Sequence, residues 1–483
     1  MFSCFESQTI KTPSLSSPIT NMALTLFNTL TRKKELFVPL KDKSVGLYTC
    51  GPTVYNYMHI GNLRSFLFED ILKRTLLLNG YKVKHVMNIT DVGHLTSDAD
   101  EGEDKIEKAA KKEGRSAQEI ANFYFKIFRE DMKKLNILEP DRWTKASEHI
   151  KEQIELIKRL EDKNYIYKTS DGIYFDSSKF KSYGDLAKLD LKNLQAGKRI
   201  SLGEKKNKSD FALWKFSNPE EKRLQEWDSP WGVGFPGWHI ECSAMSMKYL
   251  GEHFDIHTGG IDHIPVHHTN EIAQSEAATG KKFVNYWMHG AFLMFNNEKV
   301  SKSKGGLYTI SELEERGFHA LHYRYLCLLT SYRKPLNFSL DALEAAKNSY
   351  EKIKRKIIEL KKEKHKGKDL TEFYSEKFLE AINDDLNMPN ALKIFIELLD
   401  DFNFEPKLKI KLLEKFDSVL GLGVSEMQED SFEIPSEIEK LVEEREKFRK
   451  SGNFAEADIV RARIREKGFD VVDSSEGTKI VRA

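Results

Sequence analysis

The sequence predicts an α/β chain in which a parallel-sheet domain with an insertion is followed by an α-helical bundle and a small C-terminal module. Near the N-terminus, strand-like and helix-like patterns alternate around a glycine turn. From about residue 336 onward the apolar spacing is almost wholly helical, and Pro435 interrupts it before the final module. A chain of 483 residues has room for several such domains.

The first part of the sheet domain is indicated by three consecutive patterns. Val45–Cys50 is typical of a short buried strand and leads into a Gly-Pro turn. Apolar spacing from Leu63 to Leu78 predicts a helix that stops at Asn79 and Gly80. Alternation from Lys82 to Ile89 predicts the next strand. Strand, glycine turn, helix and strand together form the unit of a parallel α/β nucleotide-binding sheet.

The remaining segments differ in pattern. Residues 116–163 have helical periodicity, residues 165–225 are mixed, and residues 237–290 return to compact α/β sequence. The mixed stretch is therefore expected to be an insertion between two halves of the sheet domain. The Ser/Thr/Pro-rich residues 1–21 predict a disordered extension, with Met22 as the functional start. The predicted boundaries are 1–23 (extension), 24–135 (first half of the sheet domain), 136–225 (connective insertion), 226–290 (second half), 291–335 (lysine-containing loop region), 336–430 (helical bundle) and 431–483 (C-terminal module).

Composition narrows the classes of function. The 76 Lys and Arg residues nearly cancel the 75 Asp and Glu residues, so binding of nucleic acid requires local patches. Lys352–Lys368 is one such stripe, although a basic helical face can also be simply solvated. The sequence has no apolar run long enough to predict a membrane span. Four cysteines are too few for a disulfide scaffold, which favours the reducing cytoplasm.

Four distant residues form a candidate metal site: Cys50, Cys242, His267 and Glu271. Two thiolates, an imidazole and a carboxylate are donors that zinc accepts. His267 and Glu271 are four residues apart, so a helix would place them on one face. Seven of the 14 histidines lie between residues 239 and 289, which exceeds what packing alone explains. His253 and His289 remain open to a purely structural role, and Cys327 is typical of core packing.

Two further segments have the chemistry of phosphate binding. In the segment His59 to Asn62, Gly61 permits close approach of a ligand, and His59 could donate to a phosphate near a helix N-terminus. Lys299 and Lys302, framed by serines and glycines, form a cationic loop suited to phosphates. Taken separately, the first segment is also compatible with an ordinary glycine turn and the second with a solvated basic loop.

In combination, the two segments resemble the two signatures of class I aminoacyl-tRNA synthetases. Adding Cys50, the motif Gly237–Met245 and the pair His267 and Glu271 narrows the resemblance to the cysteinyl-tRNA synthetases. The resemblance runs from about Leu24 to the C-terminus. It departs from the family at Asn62, where a histidine is usual, and in the order of the residues just before His267.

The resemblance implies a Rossmann-like catalytic domain that uses ATP with Mg²⁺ to ligate L-cysteine to tRNA(Cys) through a cysteinyl-adenylate. One Zn²⁺ per chain is expected to select cysteine by binding its thiolate. The implied catalytic residues are His59, Asn62, Lys299 and Lys302, and His59, Gly61, Asn62 and Lys302 would bind ATP. The implied cysteine pocket consists of Thr90, Trp238, His257 and Asp262, with Asp262 facing the substrate amine. Thr90 could instead cap a strand, and Trp238 could instead be core packing.

The C-terminal part of the resemblance concerns RNA. It implies a tRNA-binding helical bundle and an anticodon-binding module in which Arg449, Phe454, Asp458 and Asp473 contact the anticodon, with Phe454 suited to stacking. A monomer in the cytoplasm is expected. Two alternatives stay open: the related cysteine ligase of mycothiol synthesis, and a non-catalytic, zinc-containing tRNA-binding paralogue.

Overall fold

The computed structural model describes residues 23–92, 104–189, 204–218, 220, 223–295, 298–299, 308–429, 435–474 and 477–482. The chain divides into two compact units, Met1–Ser425 and Glu426–Ala483. None of the helices in the described ranges combines the length and apolar character that crossing a membrane requires. The finer division of the first unit into catalytic halves, insertion and bundle stays a prediction.

The described residues form strands and helices throughout both units. The strands are β1 (Thr25–Asn28), β2 (Lys33–Leu36), β3 (Ser44–Thr49), β4 (Lys82–Ile89), β5 (Arg142–Lys145), β6 (Ile166–Lys168), β7 (Gly172–Phe175), β8 (Phe211–Phe216), β9 (Gly234–Pro236), β10 (Phe254–Gly260), β11 (Val284–Gly290), β12 (Leu293–Phe295), β13 (Glu298–Lys299), β14 (Leu336–Phe338), β15 (Phe469–Ser474) and β16 (Gly477–Arg482). The helices are α1 (Ile60–Leu78), α2 (Lys105–Glu113), α3 (Ala117–Lys134), α4 (Ile150–Asp162), α5 (Trp238–Leu250), α6 (Thr269–Thr279), α7 (Ile310–Glu315), α8 (Ala320–Leu328), α9 (Leu340–Leu360), α10 (Thr371–Asn383), α11 (Met388–Asp400), α12 (Pro406–Leu420), α13 (Ser436–Lys450) and α14 (Phe454–Glu466).

The centre of the first unit is a five-stranded parallel sheet with strand order β11-β10-β3-β4-β5. Residues on both faces are buried, which suits the continuous apolar runs of a parallel sheet covered by helices. Helix α1 connects β3 to β4, so the predicted strand, turn, helix and strand are confirmed. All carboxyl ends of these strands therefore lie along one edge of the sheet.

Helix α1 begins at Ile60, three residues before the apolar pattern does, because side chains at its start replace missing backbone partners. The His59 ring accepts the Asn62 N–H at 3.3 Å, and Asn62 Oδ1 accepts the His59 N–H at 3.4 Å. This reciprocal cap satisfies two of the backbone donors that a helix start leaves open.

Helical periodicity over residues 116–163 was not the whole pattern, because β5 lies inside that stretch. Residues Arg142–Lys145 pair in parallel with β4 and complete the sheet. Four residues are too few to establish a period of two against the helices on either side. After residue 336 the described chain is mainly helical, as predicted, and the strands β14 and β15–β16 are additions that the helical pattern did not predict.

A second, antiparallel sheet has the strand order β6-β7-β8-β9; its first three strands lie in the predicted insertion, whereas β9 lies in the predicted second half of the sheet domain. Its apolar face and helices α4, α5 and α6 share one core that includes Ile157, Trp214 and Ile240. This packing fixes α5 against the central sheet. Helix α5 carries the Trp238 and Cys242 side chains, so the second sheet helps to position them.

Helices α9 to α12 pack together in the later part of the first unit, and α12 also packs on α1. Fully buried Arg324 on α8 joins these elements. Its guanidinium lies 2.6 Å from an Asp70 oxygen on α1 and donates to the Leu420 carbonyl at 2.6 Å. Through these contacts of Arg324, helix α1 is held against the helical bundle, which also fixes the position of its first residues.

The second unit consists of α13, α14 and the antiparallel β15–β16 hairpin. Its small core contains buried apolar residues from both helices and the hairpin: Ile438, Leu441, Val460, Ile464 and Val471. A core of this size is modest, so ion pairs at its edge carry more weight than they would in a large domain.

Candidate metal and nucleotide site

The candidate site lies where the central strands end. Cys50 directly follows β3, and its N–H donates to the Thr258 carbonyl of β10 at 3.2 Å. Thr90 directly follows β4, and His257 lies in β10. Because the strands are parallel, these residues meet along the same edge. Cys242 reaches this edge from α5.

His267 belongs to a π-type turn, Ile264–His268, that continues directly into α6. Turns of this type are rare and are frequent at functional sites. Glu271 follows in the first turn of α6, and its Oε1 lies 3.0 Å from His267 Nε2. The backbone therefore brings these two side chains together, as their spacing in the sequence predicts.

The site is a buried cluster of metal-type donors. Ligand atoms of Cys50, His267, His268 and Glu271 all lie within 4.8 Å of one another. Cys50 Sγ is 3.2 Å from His268 Nε2. All four side chains are buried. His268 was not singled out by the sequence, although its position beside His267 in a histidine-rich segment was a signal.

Cys242 lies against the same cluster. A hydrogen bond from the Cys50 thiol, together with the charge of His267, lowers the pKa of Cys242 to about 6 despite burial. Burial and the neighbouring Cys242 raise the pKa of Cys50 well above its usual value. One thiolate is therefore stabilised at neutral pH. The structure brings all four predicted ligands together, and their assignment as the metal set stays a prediction.

Charge within the cluster favours a bound cation. Although burial opposes it, the carboxylate of Glu271 raises the pKa of His267 to about 10. Burial also opposes the charge on Glu271, but His257 and His267 lower its pKa to about 2. Glu271 Oε1 is buried, and His267 Nε2 lies 3.0 Å from it. The proton on His267 therefore lies where a zinc ion would bind. Thiol, imidazole and carboxylate groups are zinc donors, so the residues fit this metal.

A second layer of side chains holds these donors in place. His257 Nε2 lies 3.0 Å from Glu271 Oε2, and His239 Nδ1 lies 3.0 Å from His267 Nδ1. His268 Nδ1 lies 2.7 Å from His289 Nε2. Such outer partners fix the orientation and basicity of metal ligands. His289 continues to the Thr29 hydroxyl at 2.8 Å, as a hydrogen-bonded structural histidine would.

The predicted cysteine-pocket residues are placed differently from one another. The Trp238 ring stacks on His267 with centroids 4.1 Å apart, so it covers the cluster. His257 is fully buried behind Glu271. Thr90 is buried, and its hydroxyl accepts from Asn88 Nδ2 at 3.1 Å. Asp262 lies exposed on the turn between β10 and His267.

One buried carboxyl was missed by the sequence analysis. Glu241 precedes Cys242 on α5 and is fully buried, close to the Thr90 hydroxyl. Burial raises its pKa well above the usual value. Nothing in the sequence distinguishes this glutamate from an exposed helical one.

The start of α1 forms the other end of the site. A Cβ at Gly61 would lie 3.0 Å from the His59 ring, so glycine leaves that ring room. The Ile60 N–H donates to the Tyr308 carbonyl at 2.8 Å, which ties the end of the lysine loop to this helix start. Lys302 lies outside the described residues, and of Lys299 only the backbone, paired with Met294, is described.

Comparison with known proteins identifies the family. Residues 36–348 match the family model described as the class I (C) tRNA synthetase catalytic domain. A cysteine–tRNA ligase of Burkholderia lata is 47% identical over 460 residues, which is 95% of this chain and 97% of that protein. One from Treponema denticola is 46% identical over 95% of this chain and 99% of its own length. The chain belongs to the cysteine–tRNA ligase family.

Solved structures show that this member of the cysteine–tRNA ligase family has the fold of class I synthetases. Methionyl-tRNA synthetase of Mycobacterium tuberculosis, in complex with methionyl-adenylate, superimposes with a TM-score of 0.58 at 13% identity, covering 80% of this chain and 93% of that one. A ternary LeuRS–tRNA–LeuAMS complex from Agrobacterium radiobacter gives 0.58 at 11% identity, covering 81% and 86%. The predicted α/β architecture with its parallel sheet is confirmed.

In this cysteine–tRNA ligase family member, the predicted anticodon-binding residues lie on the second unit. Asp473 accepts from Arg445 at 2.7 Å and from Arg449 at 2.5 Å. Hydrogen bonding by Arg445 lowers the pKa of Asp473 to about 2. Phe454 is 61% exposed, and Asp458 is also exposed. Arg449 and Asp473 are thus paired with each other, while Phe454 and Asp458 face solvent.

Proposed function

We propose that this chain ligates L-cysteine to tRNA(Cys) in two steps, through a cysteinyl-adenylate formed from ATP with Mg²⁺. The observation that carries the proposal is the buried cluster of thiol, imidazole and carboxylate donors at the sheet edge that also bears the start of α1. The high identity to cysteine–tRNA ligases over nearly the whole chain supports the same reaction.

In the first step, the cysteine carboxylate attacks the α-phosphate of ATP, and pyrophosphate leaves. Such a step needs orientation of the reactants and stabilisation of negative charge. His59 and Asn62, at the N-terminus of α1, are proposed to face the phosphates. Lys302 is proposed to contact the transition-state phosphate, with Lys299 assisting. In the second step, the terminal ribose hydroxyl of the tRNA takes the cysteinyl group.

Selectivity is proposed to depend on the metal cluster. Cys50, Cys242, His267 and Glu271 would hold one Zn²⁺, which when bound supplies a soft position that accepts a thiolate far better than a hydroxyl. Trp238 limits the size of the side chain beside the cluster. A site built around a contact that the wrong substrate cannot make rejects that substrate strongly. Residues Thr90, His257 and Asp262 are proposed to complete the pocket.

The proposal is tested by cysteine-dependent ATP–pyrophosphate exchange, with serine as competitor and zinc measured in the same sample. Cys242→Ser should lose zinc and cysteine affinity together. Cys327→Ser, at a buried cysteine of α8, is the matched control and should keep both. Selective cysteine exchange by Cys242→Ser without zinc would refute the mechanism of selection. Absence of exchange in the folded, zinc-bound wild type would favour a non-catalytic tRNA-binding paralogue.

The proposed oligomeric state, location and anticodon contacts rest on the similarity to cysteine–tRNA ligases. We propose that the chain acts as a monomer in the cytoplasm and that the second unit contacts the anticodon through Arg449, Phe454, Asp458 and Asp473. Analytical ultracentrifugation tests whether the chain is a monomer. Charging of tRNA(Cys) with an altered anticodon tests the anticodon contacts, because weaker anticodon binding should raise the KM for tRNA and leave cysteine-dependent exchange unchanged.

A further inference from the structure

Two loops of the first unit join into one surface where helices α9 and α11 end: residues 361–368 and 401–405, here called the basic–aromatic platform. The Lys368 N–H donates to the Asn403 carbonyl at 2.7 Å, and the Glu405 N–H donates to the Lys368 carbonyl at 3.0 Å. A Cβ at Gly367 would lie 2.4 Å from the Glu405 nitrogen. The two backbones are therefore in direct contact, with no room for a side chain between them.

The platform presents an aromatic ring to solvent. Phe402 is 85% exposed, more than any other large apolar side chain in the described part of the chain. The loop around it is well tied down, because Asp401 accepts the Asn403 N–H at 2.9 Å and the Tyr374 hydroxyl at 2.9 Å. Phe404, two residues later, is fully buried. Exposure of Phe402 is thus a feature of a built loop and leaves a large apolar surface uncovered.

The platform is also strongly basic. Residues 361–368 contain five lysines and one glutamate, and all of these side chains are exposed. The whole chain has a net charge of only +1, so this is a local concentration of positive charge. His365 connects the basic segment to the aromatic one, since its Nε2 lies 3.3 Å from the Phe402 carbonyl oxygen.

We propose that the basic–aromatic platform binds RNA, with an unpaired base stacked on Phe402 and the flanking phosphates held by the surrounding lysines. Stacking on an exposed aromatic ring beside a basic groove is how many proteins bind single-stranded nucleic acid. Lysines add attraction to phosphate that is independent of sequence. The inference rests on the proposed function and deepens it, because it assigns to the bundle a binding surface for the tRNA substrate.

The stacking part of the proposal is tested with Phe402→Ala, Phe402→Leu and Phe402→Trp. Affinity for a tRNA(Cys) transcript, measured by fluorescence anisotropy, should fall by about 5- to 100-fold in the Ala and Leu variants and be retained in the Trp variant. Phe123→Ala, at a partly exposed aromatic residue of α3, is the control. Wild-type affinity of Phe402→Leu would indicate an apolar docking surface and overturn base stacking, and near wild-type affinity of Phe402→Ala would overturn the proposal as a whole.

The electrostatic part is tested with the double variant Lys364→Ala/Lys366→Ala. The slope of log affinity against log salt concentration should become shallower by about 0.7 to 0.9 for each phosphate that the protein no longer neutralises. Lys393→Ala, at an exposed lysine of α11, removes a positive charge elsewhere on the bundle and should leave the slope unchanged. An unchanged slope in the double variant would exclude phosphate binding by these lysines.

Cysteine-dependent ATP–pyrophosphate exchange separates this inference from the proposed function, because that exchange requires no tRNA. All platform variants should exchange at the wild-type rate. If the wild type shows no exchange, the proposed function fails, whereas the affinity of the platform for RNA is still measured directly. Loss of exchange in Phe402→Ala would show that the variant acts through the fold and would overturn the assigned role in RNA binding.

Discussion

Replacement of Gly51 by alanine should disable the candidate metal cluster by forcing the end of β3 away from the end of β4. A Cβ at Gly51 would lie 1.7 Å from the backbone oxygen of Asn88, at the end of β4. The Gly51 N–H also donates to Asn88 Oδ1 at 2.7 Å, so the two strand ends are locked together here. Cys50 is the preceding residue and would move with any displacement.

The size of the displacement follows from this overlap. Carbon–oxygen contacts rarely fall below about 3.3 Å, so the two backbones must separate by about 1.6 Å. Such a shift is about half the 3.2 Å between Cys50 Sγ and His268 Nε2. Overpacking of this kind costs about 1 to 3 kcal/mol, which a large unit tolerates. A misplacement of about 1 Å at a reacting site can cost about 100-fold in rate.

The assay compares Gly51→Ala, just beyond the end of β3, with Gly46→Ala inside β3. A Cβ at Gly46 would meet the Phe254 Cβ at 3.3 Å, which needs only a small adjustment. We expect Gly51→Ala to lose zinc to a chelator and to lose about 100-fold in cysteine-dependent exchange while retaining its thermal transition. Zinc retention and exchange close to those of Gly46→Ala would refute the steric argument.

Three further predictions concern other parts of the molecule. Gly421→Ala adds a Cβ at φ +67°, 2.4 Å from the Arg324 guanidinium, and should lower the free energy of unfolding in urea by about 3 to 5 kcal/mol. The control Gly280→Ala, at φ +73° in open space, should lower that free energy by only about 1 kcal/mol. Asp473→Asn should weaken hydrogen-exchange protection of the β15–β16 hairpin by about 1 kcal/mol at about pH 6. The pKa of Asp473 is lowered to about 2, so its stabilising contribution is present above the unfolded-state pKa of about 4 and is lost as the pH falls towards 2. Near pH 2 the protection of the hairpin should therefore be the same in the variant and the wild type. Asn62→His should retain exchange, whereas Asn62→Ala, which removes half of the α1 cap, should lower it about tenfold.

The sequence predicted elements whose pattern is local. The β3, α1 and β4 segments were predicted because a period of two, a period near 3.6 and an Asn-Gly stop all lie within the elements themselves. The earlier start of α1 was missed because histidine is not a usual N-cap, and its cap depends on Asn62 three residues later. Strand β5 was missed because its four residues show no strand pattern of their own, and only their pairing with β4 distinguishes them from the neighbouring helical segments.

The candidate site shows the same limit. The pair His267 and Glu271 follows from spacing, since four residues on helical backbone bring the side chains within 3.0 Å. His268 could not be ranked against His267 from sequence, because the π-type turn decides which ring nitrogens reach the Cys50 thiol. Burial of Glu241 was equally hidden, since it depends on how α5 packs on the central sheet.

Strand order explains why metal-type donors and a phosphate-type helix start share one crevice. From β3 the sheet continues to β4 and β5 on one side and to β10 and β11 on the other. Chain connections therefore leave β3 and β10 in opposite directions and open a crevice at their carboxyl ends, where α/β proteins bind ligands. Cys50 ends β3, His257 lies in β10, and α1 is the helix that follows β3. In the proposed function, cysteine held between them presents its thiol to the cluster and its carboxylate to the phosphates, because these two ends of the crevice lie on either side of it.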